Sequence, residues 1–370
     1  MSESPPQSQP AIEYLHSKDF PELLRKLNIS LAVTTYQAQR LLTFSPSGPE
    51  KLFMLMRVFD RPTGLAIGQN QMAMCSKNKV WFFVPAGDVH DLEGKSLSHD
   101  LVLTPRKAYI TGDISGHEMA FVPALSNAEG PALSNAEGDA KLHIINTRFS
   151  CICTLDEKYS FRPVWQPPFI TELAPEDRCH LSGIAIDSTG IRYVTALGES
   201  NTKDGWRPTK ADGGILIDYR TSQTIARNLS MPHSPRIYDG KLWLLDSGRG
   251  ELITINPSTG ERTVRAKFPG FLRGLAFHDQ HAFVGVCKIR EKKTFGNLPI
   301  ESLYKEFECS LHAINLHDGT QHSFIRFTRS IEELFDIQIL AGVQNPHVIG
   351  MEEATVDGLF VLPSPGENGK

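Results

Sequence analysis

Missing from this sequence are an apolar run long enough to cross a bilayer, a CxxC pair and, beyond about residue 29, any sustained helical period. The first absence excludes a helical membrane span. The opening Met1–Pro10 is rich in Ser, Pro and Gln and lacks a signal peptide's basic and apolar regions, so a soluble, cytoplasmic protein is expected. Six cysteines stand scattered at 75, 151, 153, 179, 287 and 309, which reads as reduced and mainly buried thiols. Cys151 and Cys153 share one strand face and could ligate a metal, but no second Cys/His pair of zinc spacing accompanies them. An excess of positive charge is also missing. The formal net charge of −4 argues against a global nucleic-acid or membrane-surface role.

What the chain does have is one short strand entry, repeated. Arg61-Pro-Thr-Gly-Leu-Ala66, Ser115-Gly-His-Glu-Met-Ala120, His180-Leu-Ser-Gly-Ile-Ala185, His233-Ser-Pro-Arg-Ile-Tyr238 and Phe271-Leu-Arg-Gly-Leu-Ala276 share it, and Glu333-Leu-Phe-Asp-Ile-Gln338 follows it more loosely. Such recurrence marks a radial β repeat. Followers can be matched too: Lys241–Asp246, Glu251–Asn256 and Thr263–Phe268 complete one unit, while Ser30–Thr35, Arg40–Phe44 and Leu52–Phe59 form a set with no first strand. Pairing that orphan set with the C-terminal Phe335–Leu340 gives an all-β propeller of six four-stranded blades, a closure that removes sheet edges. Seven blades are the alternative, if His347–Met351 and Gly358–Leu362 build part of another; otherwise these strands thicken the closing blade. The expected organisation is a tail and short helix over 1–29, one propeller over 30–363 and a tail over 364–370. Phe20, Leu23, Leu24 and Leu27 fall at helical spacing behind Asp19, a candidate cap. A duplicated octapeptide of small and polar residues at 123–138 cannot supply a core and reads as a surface loop.

The alignment also maps one end of the propeller. His180 and His233 share a position with Arg61, whereas His117 falls two residues later with Thr63 and Arg273, and positions two apart point the same way on a strand. All should face the channel mouth, where histidines from three successive blades would meet. Turns opening on the same face add Tyr36 and Gln37, Lys77 and Asn78, Asn146 and Arg148, Asp246 and Arg249, and Lys288 with Arg290 and Glu291. The long connections Gly198–Gly213, carrying Glu199 and Trp206, and Lys288–Cys309, carrying Phe295 and Tyr304, are candidate walls or lids.

Three readings of the histidines stay open. His117, His180 and His233 could bind zinc, iron or copper, with Glu118, Asp246 or Glu199 as acid, base or partner of a ligand imidazole. They could instead act without metal, donating hydrogen bonds or protons to an anionic substrate held by Arg61, Arg148, Arg236, Arg249 and Arg273. Or they could satisfy backbone carbonyls in a packed channel. Lys288 and Trp206 join the candidate substrate contacts.

Several segments carry a resemblance. Thr111–Phe121, Asn146–Cys151, Glu176–Leu181, Ser230–Arg236, Leu242–Gly248 and Phe268–Phe277 resemble a bacterial family of conserved hypothetical proteins expected to be β-propellers, over about Ile29–Gly350. The octapeptide insert departs from it, and the resemblance implies the fold without naming a reaction. The architecture is also similar to gluconolactonase-type propellers, which hold a divalent metal on the axis through carboxylates and amides; the rim here is His-rich instead. The functional expectation is an enzyme acting on a small, anionic metabolite at the channel mouth. A non-catalytic propeller that binds a peptide or protein partner on the same face is the alternative.

Overall fold

The structure, a computed structural model, describes residues 11–86, 99–123, 140–289, 296–351 and 360. The tails at 1–10 and 361–370, most of the octapeptide insert, Arg290, Glu291, Phe295 and the greater part of Gly358–Leu362 lie outside the described residues. Among the described residues the strands form six sheets, arranged as the six blades of a propeller.

Each copy of the repeated entry leads into the innermost strand of one blade. These strands are Leu65–Gly68, Gly116–Val122, Leu181–Asp187, Pro232–Tyr238, Phe271–His278 and Asp336–Ala341. The last heads blade 1, in which Ile29–Thr35, Arg40–Gly48 and Lys51–Val58 follow outward. Ring closure is therefore the antiparallel pairing of Ile29 with Ala341 through Thr34 with Asp336, as the orphan strand set implies. Blades 2 to 6 follow in chain order. Their strands alternate small or polar with β-branched and aromatic residues, and the core lies between neighbouring blades. Val122, Ile145 and Ile152 of blade 3, for example, pack on Ile184, Val194 and Ile217 of blade 4, all nearly or wholly excluded from water.

Two added strands correct the sequence reading. Glu13–His16, expected as tail, pairs antiparallel with the outer strand Gln321–Arg329 of blade 6. Pro346–Val348 runs parallel to Leu101–Leu103 on the outer edge of blade 2, so it builds no seventh blade and thickens a blade other than the closing one. Both cover sheet edges that would otherwise offer unpaired backbone groups. The helix Phe20–Leu27 forms where its apolar spacing predicts and buries Phe20 and Leu24 with Leu31, Phe44 and Phe283 at the seam of blades 6 and 1. Asp19 does not cap it through its side chain; its carboxylate instead accepts from Ser323 Oγ at 2.6 Å, tying the helix to blade 6. No helix among the described residues is long and apolar enough to cross a membrane.

The axis is closed by a pattern that only the ring makes visible. Immediately before the aligned apolar residue stand, in blade order from 2 round to 1, Gly64, Glu118, Gly183, Arg236, Gly274 and Asp336, so charge alternates with glycine. Each charged side chain reaches the backbone of the residue after the next blade's glycine. Glu118 Oε2 accepts from Ile184 N at 2.8 Å, Arg236 Nε donates to Leu275 O at 3.1 Å, and Asp336 Oδ2 accepts from Leu65 N at 2.8 Å. Across the axis Arg236 Nη2 lies 2.5 Å from Glu118 and 4.0 Å from Asp336. The glycines leave the room this needs: a Cβ on Gly183 would stand 2.8 Å from Glu118 Oε2 and 2.3 Å from Pro235 Cδ. Burial and the Glu118 charge push the Asp336 carboxyl up, to about 7, against the pull of Arg236. This plug makes the channel a blind cavity rather than a pore.

Candidate functional site

Above the plug opens a cavity of about 520 Å³. Its walls come from the two strand-entry positions that the repeat alignment aims at the mouth. Arg61, Ser115, His180 and Glu333 occupy the first position, and Thr63, His117, Arg273 and Phe335 the second. The turns add Tyr36, Ser76, Lys77, Thr147 and Arg148, and Asp113 comes from the approach to blade 3. Arg61, Ser115, Asp177 and His180 all hold left-handed backbone, with φ between 47° and 50°. Non-glycine residues adopt that region at a cost of about 1 kcal/mol or more each, which is characteristic of functional loops.

The histidines from blades 3, 4 and 5 do come together. The His117 ring centroid lies 5.7 Å from His180 and 5.1 Å from His233. Their hydrogen bonds separate their roles. His233 Nδ1 faces the Met231 carbonyl at 2.8 Å, so it carries the proton and leaves Nε2 as an acceptor. Arg273 Nη2 then donates to Nε2 of His117 at 3.1 Å and of His233 at 3.4 Å. Burial, the Arg273 charge and the neighbouring imidazoles hold both histidines well below the usual imidazole range, so both are neutral.

A transition metal shared by His117, His180 and His233 does not fit this arrangement. The lone pairs it needs on His117 and His233 are directed at a permanent cation, Arg273, and like charges would meet at the same point. Among the described residues no group of three or more His, Cys, Asp or Glu is placed to hold a metal ion. Cys151 and Cys153 are buried in the core with Cys75, all as free thiols, and burial pushes Cys75 and Cys151 up to about 12.

His180 differs from the other two. It is the more exposed, with 18% of its side chain open, and its Nδ1 donates to Asp177 at 2.8 Å. The same Asp177 oxygen accepts from Trp206 Nε1 at 3.1 Å, and the fully buried Trp206 ring lies 4.5 Å from the imidazole. Trp206 thus backs the site from within the loop Gly198–Gly213 instead of touching a ligand. A carboxylate on Nδ1 fixes the ring and leaves Nε2 as a lone pair at the cavity wall, the arrangement of an oriented general base.

The cations divide as well. Asp113 Oδ2 holds Arg148 at 3.0 Å and Arg61 at 3.5 Å, bringing guanidinium groups from two blades side by side. Arg61 also donates to Tyr36 Oη at 3.2 Å, and Lys77 lies 3.8 Å from Asp60. Arg148 Nε is a buried donor without an acceptor among the described residues. Arg273 stacks on Phe335, 4.1 Å from the ring centre, and lies 3.5 Å from Glu333.

Other candidates lie elsewhere. Glu118 and Arg236 belong to the axial plug below the cavity. Asp246 is fully buried and saturated by Ser230 N, Arg249 and Arg262, so Asp246 and Arg249 form an ion-paired corner of blade 5 away from the cavity. Lys288 is 4.0 Å from Glu332, also off the wall, and Glu199 pairs with Arg227 on the surface. The sequence reading missed the carboxylates Asp113, Asp177 and Glu333. Asp113 and Asp177 stand four and three residues before His117 and His180, a spacing that could have flagged them.

No curated protein matches the chain. Among solved structures, a protein of unknown function from Bacteroides caccae is similar at a TM-score of 0.50 and 9% identity, over 84% of this chain and 98% of that one. A chain of the nidogen/laminin complex is similar at a TM-score of 0.48 and 11% identity, over 85% and 98%. At such identities the first likeness speaks for the fold alone. The profile of the domain of unknown function DUF4915 matches residues 18–349, nearly the whole chain, and the protein belongs to that family.

Proposed function

We propose that the cavity binds a small anionic metabolite and that His180 exchanges a proton with it, which makes the protein an enzyme of the acid–base type. One observation carries this reading: an imidazole held by Asp177 stands in the wall of a cavity that also presents Arg61, Lys77, Arg148 and Arg273. Asp60, Asp113 and Glu333 pair with these four cations, so one fixed positive charge remains in excess there, in a chain whose formal charge is −4. Guanidinium pairs suit carboxylate or phosphate groups, because each presents N–H donors in a planar fork. With His117 and His233 neutral and engaged by Arg273, His180 is the imidazole left to move a proton.

The test is a thermal-shift screen of small carboxylates and phosphate esters, followed by NMR detection of turnover for each ligand found. The reading expects stabilisation that is lost in the double variant Arg61→Ala/Arg148→Ala, and binding without turnover in His180→Gln. Ligands bound equally well without the arginines, or turned over unchanged by His180→Gln, would contradict it.

A further inference from the structure

Resting on that reading, we infer that the ligand is a hydroxylated anion, with one carboxylate or phosphate at the mouth and several hydroxyl groups below it. The inference comes from where the wall's own protons go. Four aliphatic side-chain hydroxyls line the cavity and each spends its single proton inside the protein, whereas the fifth hydroxyl, Tyr36 Oη, accepts from Arg61 at 3.2 Å and belongs with the donors at the mouth. Thr63 Oγ1 donates to Gly116 O at 2.7 Å, Thr147 Oγ1 to Leu181 O at 2.6 Å, Ser76 Oγ to Lys79 O at 3.3 Å and Ser115 Oγ to Asp113 at 3.3 Å. A hydroxyl has one donor and two lone pairs, so what these groups still offer is acceptance.

His180 Nε2 adds another acceptor, because Nδ1 carries the proton to Asp177, and Glu333 adds a carboxylate. The charged donors sit apart from these, on Arg61, Lys77 and Arg148 around Asp60 and Asp113, and Arg148 Nε has no acceptor among the described residues. A ligand complementary to the whole cavity therefore brings acceptors to one end and O–H donors to the rest. A fatty or aromatic acid would satisfy the arginines and leave the acceptor wall facing carbon, and buried polar groups without partners are costly. Hydroxyl groups answer each acceptor, and one of them placed at His180 Nε2 supplies the proton that the proposed chemistry removes.

Calorimetric titration of the full-length protein with matched probes tests this. Xylonate, pentanoate and xylitol form the carboxylate arm; ribitol 5-phosphate, pentyl phosphate and ribitol form the phosphate arm. The inference expects the hydroxylated anion of one arm to bind at least tenfold more tightly than its deoxygenated partner, and the arm that does so identifies the oxyanion. Thr63→Val and Thr147→Val should each weaken that ligand severalfold while leaving the deoxygenated anion's affinity unchanged, which also shows that the cavity remains folded. Equal affinity for hydroxylated and deoxygenated anions would overturn the inference and leave the anion site standing. A polyol binding as tightly as its acid would overturn the anion site itself, and binding of none of the six at millimolar concentration would count against both.

Discussion

Arg273 donates through Nη2 to the Nε2 atom of His117 at 3.1 Å, so a fixed guanidinium charge sits where the imidazoles of neighbouring blades converge. The contact reaches across the axis from blade 6 to blade 3, and the same nitrogen also serves His233 of blade 5. Both imidazoles are thereby set as neutral acceptors, and the face of the guanidinium rests on Phe335.

Replacing Arg273 by Met should remove this organisation. Glu333 would lose its ion-pair partner in a nearly dry setting, with both side chains under 10% exposed, and the loss should be about 3 kcal/mol of folding stability. The His117 resonance should titrate at higher pH in the variant, because burial would then act without the Arg273 charge. Urea denaturation and histidine NMR read the two effects.

Acid should weaken the fold through the same imidazoles. An unfolded histidine titrates near 6.5, whereas burial and Arg273 hold His117 and His233 well below that when folded. Between those values the unfolded chain binds more protons, so their contribution is complete above about pH 6.5 and is lost as the pH falls toward the folded values. His233→Gln should therefore show a shallower stability loss between pH 7.5 and 5 than the parent; parallel losses would count against the assignment.

The thiols should be inert in the folded protein. All six are buried and free, and burial pushes Cys75, Cys151 and Cys179 up to about 12. The thiolate is the reactive form, so reaction with an aromatic disulfide reagent should proceed only as fast as the protein unfolds. Prompt labelling at neutral pH would contradict this burial.

Gly183 is a sharper test of the axial plug. Ala there would press on Pro235 Cδ and on the Glu118 oxygen that accepts from Ile184 N, and it should cost about 2 kcal/mol by overpacking. Chemical denaturation of Gly183→Ala beside the parent protein reads the cost, and equal stability of the two would contradict the close packing of the plug.

The repeat made the ring, its closure and the mouth-facing positions legible, because side-chain direction follows from position along a strand. It placed Arg61, His117, His180 and Arg273 on one wall. Ion pairing was not legible, since it depends on which blades become neighbours. Arg236 reads like the other arginines in sequence, yet it falls one residue out of phase with His117 and Arg273 and turns into the plug. Asp246 shares its turn with candidate rim residues, but Arg262 arrives from two strands outward and closes over it. Conversely, Asp113 gains its meaning only from Arg61 and Arg148, which the fold brings to it, whereas the Asp177 contact to His180 is local and only Trp206 joins it from elsewhere in the chain. The strand Glu13–His16 was hidden for a similar reason, as its pattern is too short to register without Gln321–Arg329 beside it.

The central claim is that an oxyanion binds between Arg61 and Arg148. Anomalous diffraction from crystals soaked in selenate measures this directly. The account predicts a selenium peak that places selenate oxygens within hydrogen-bonding distance of both guanidinium groups, beside Asp113 and absent in Arg148→Ala. A cavity free of selenium while selenate decorates other surfaces would contradict it.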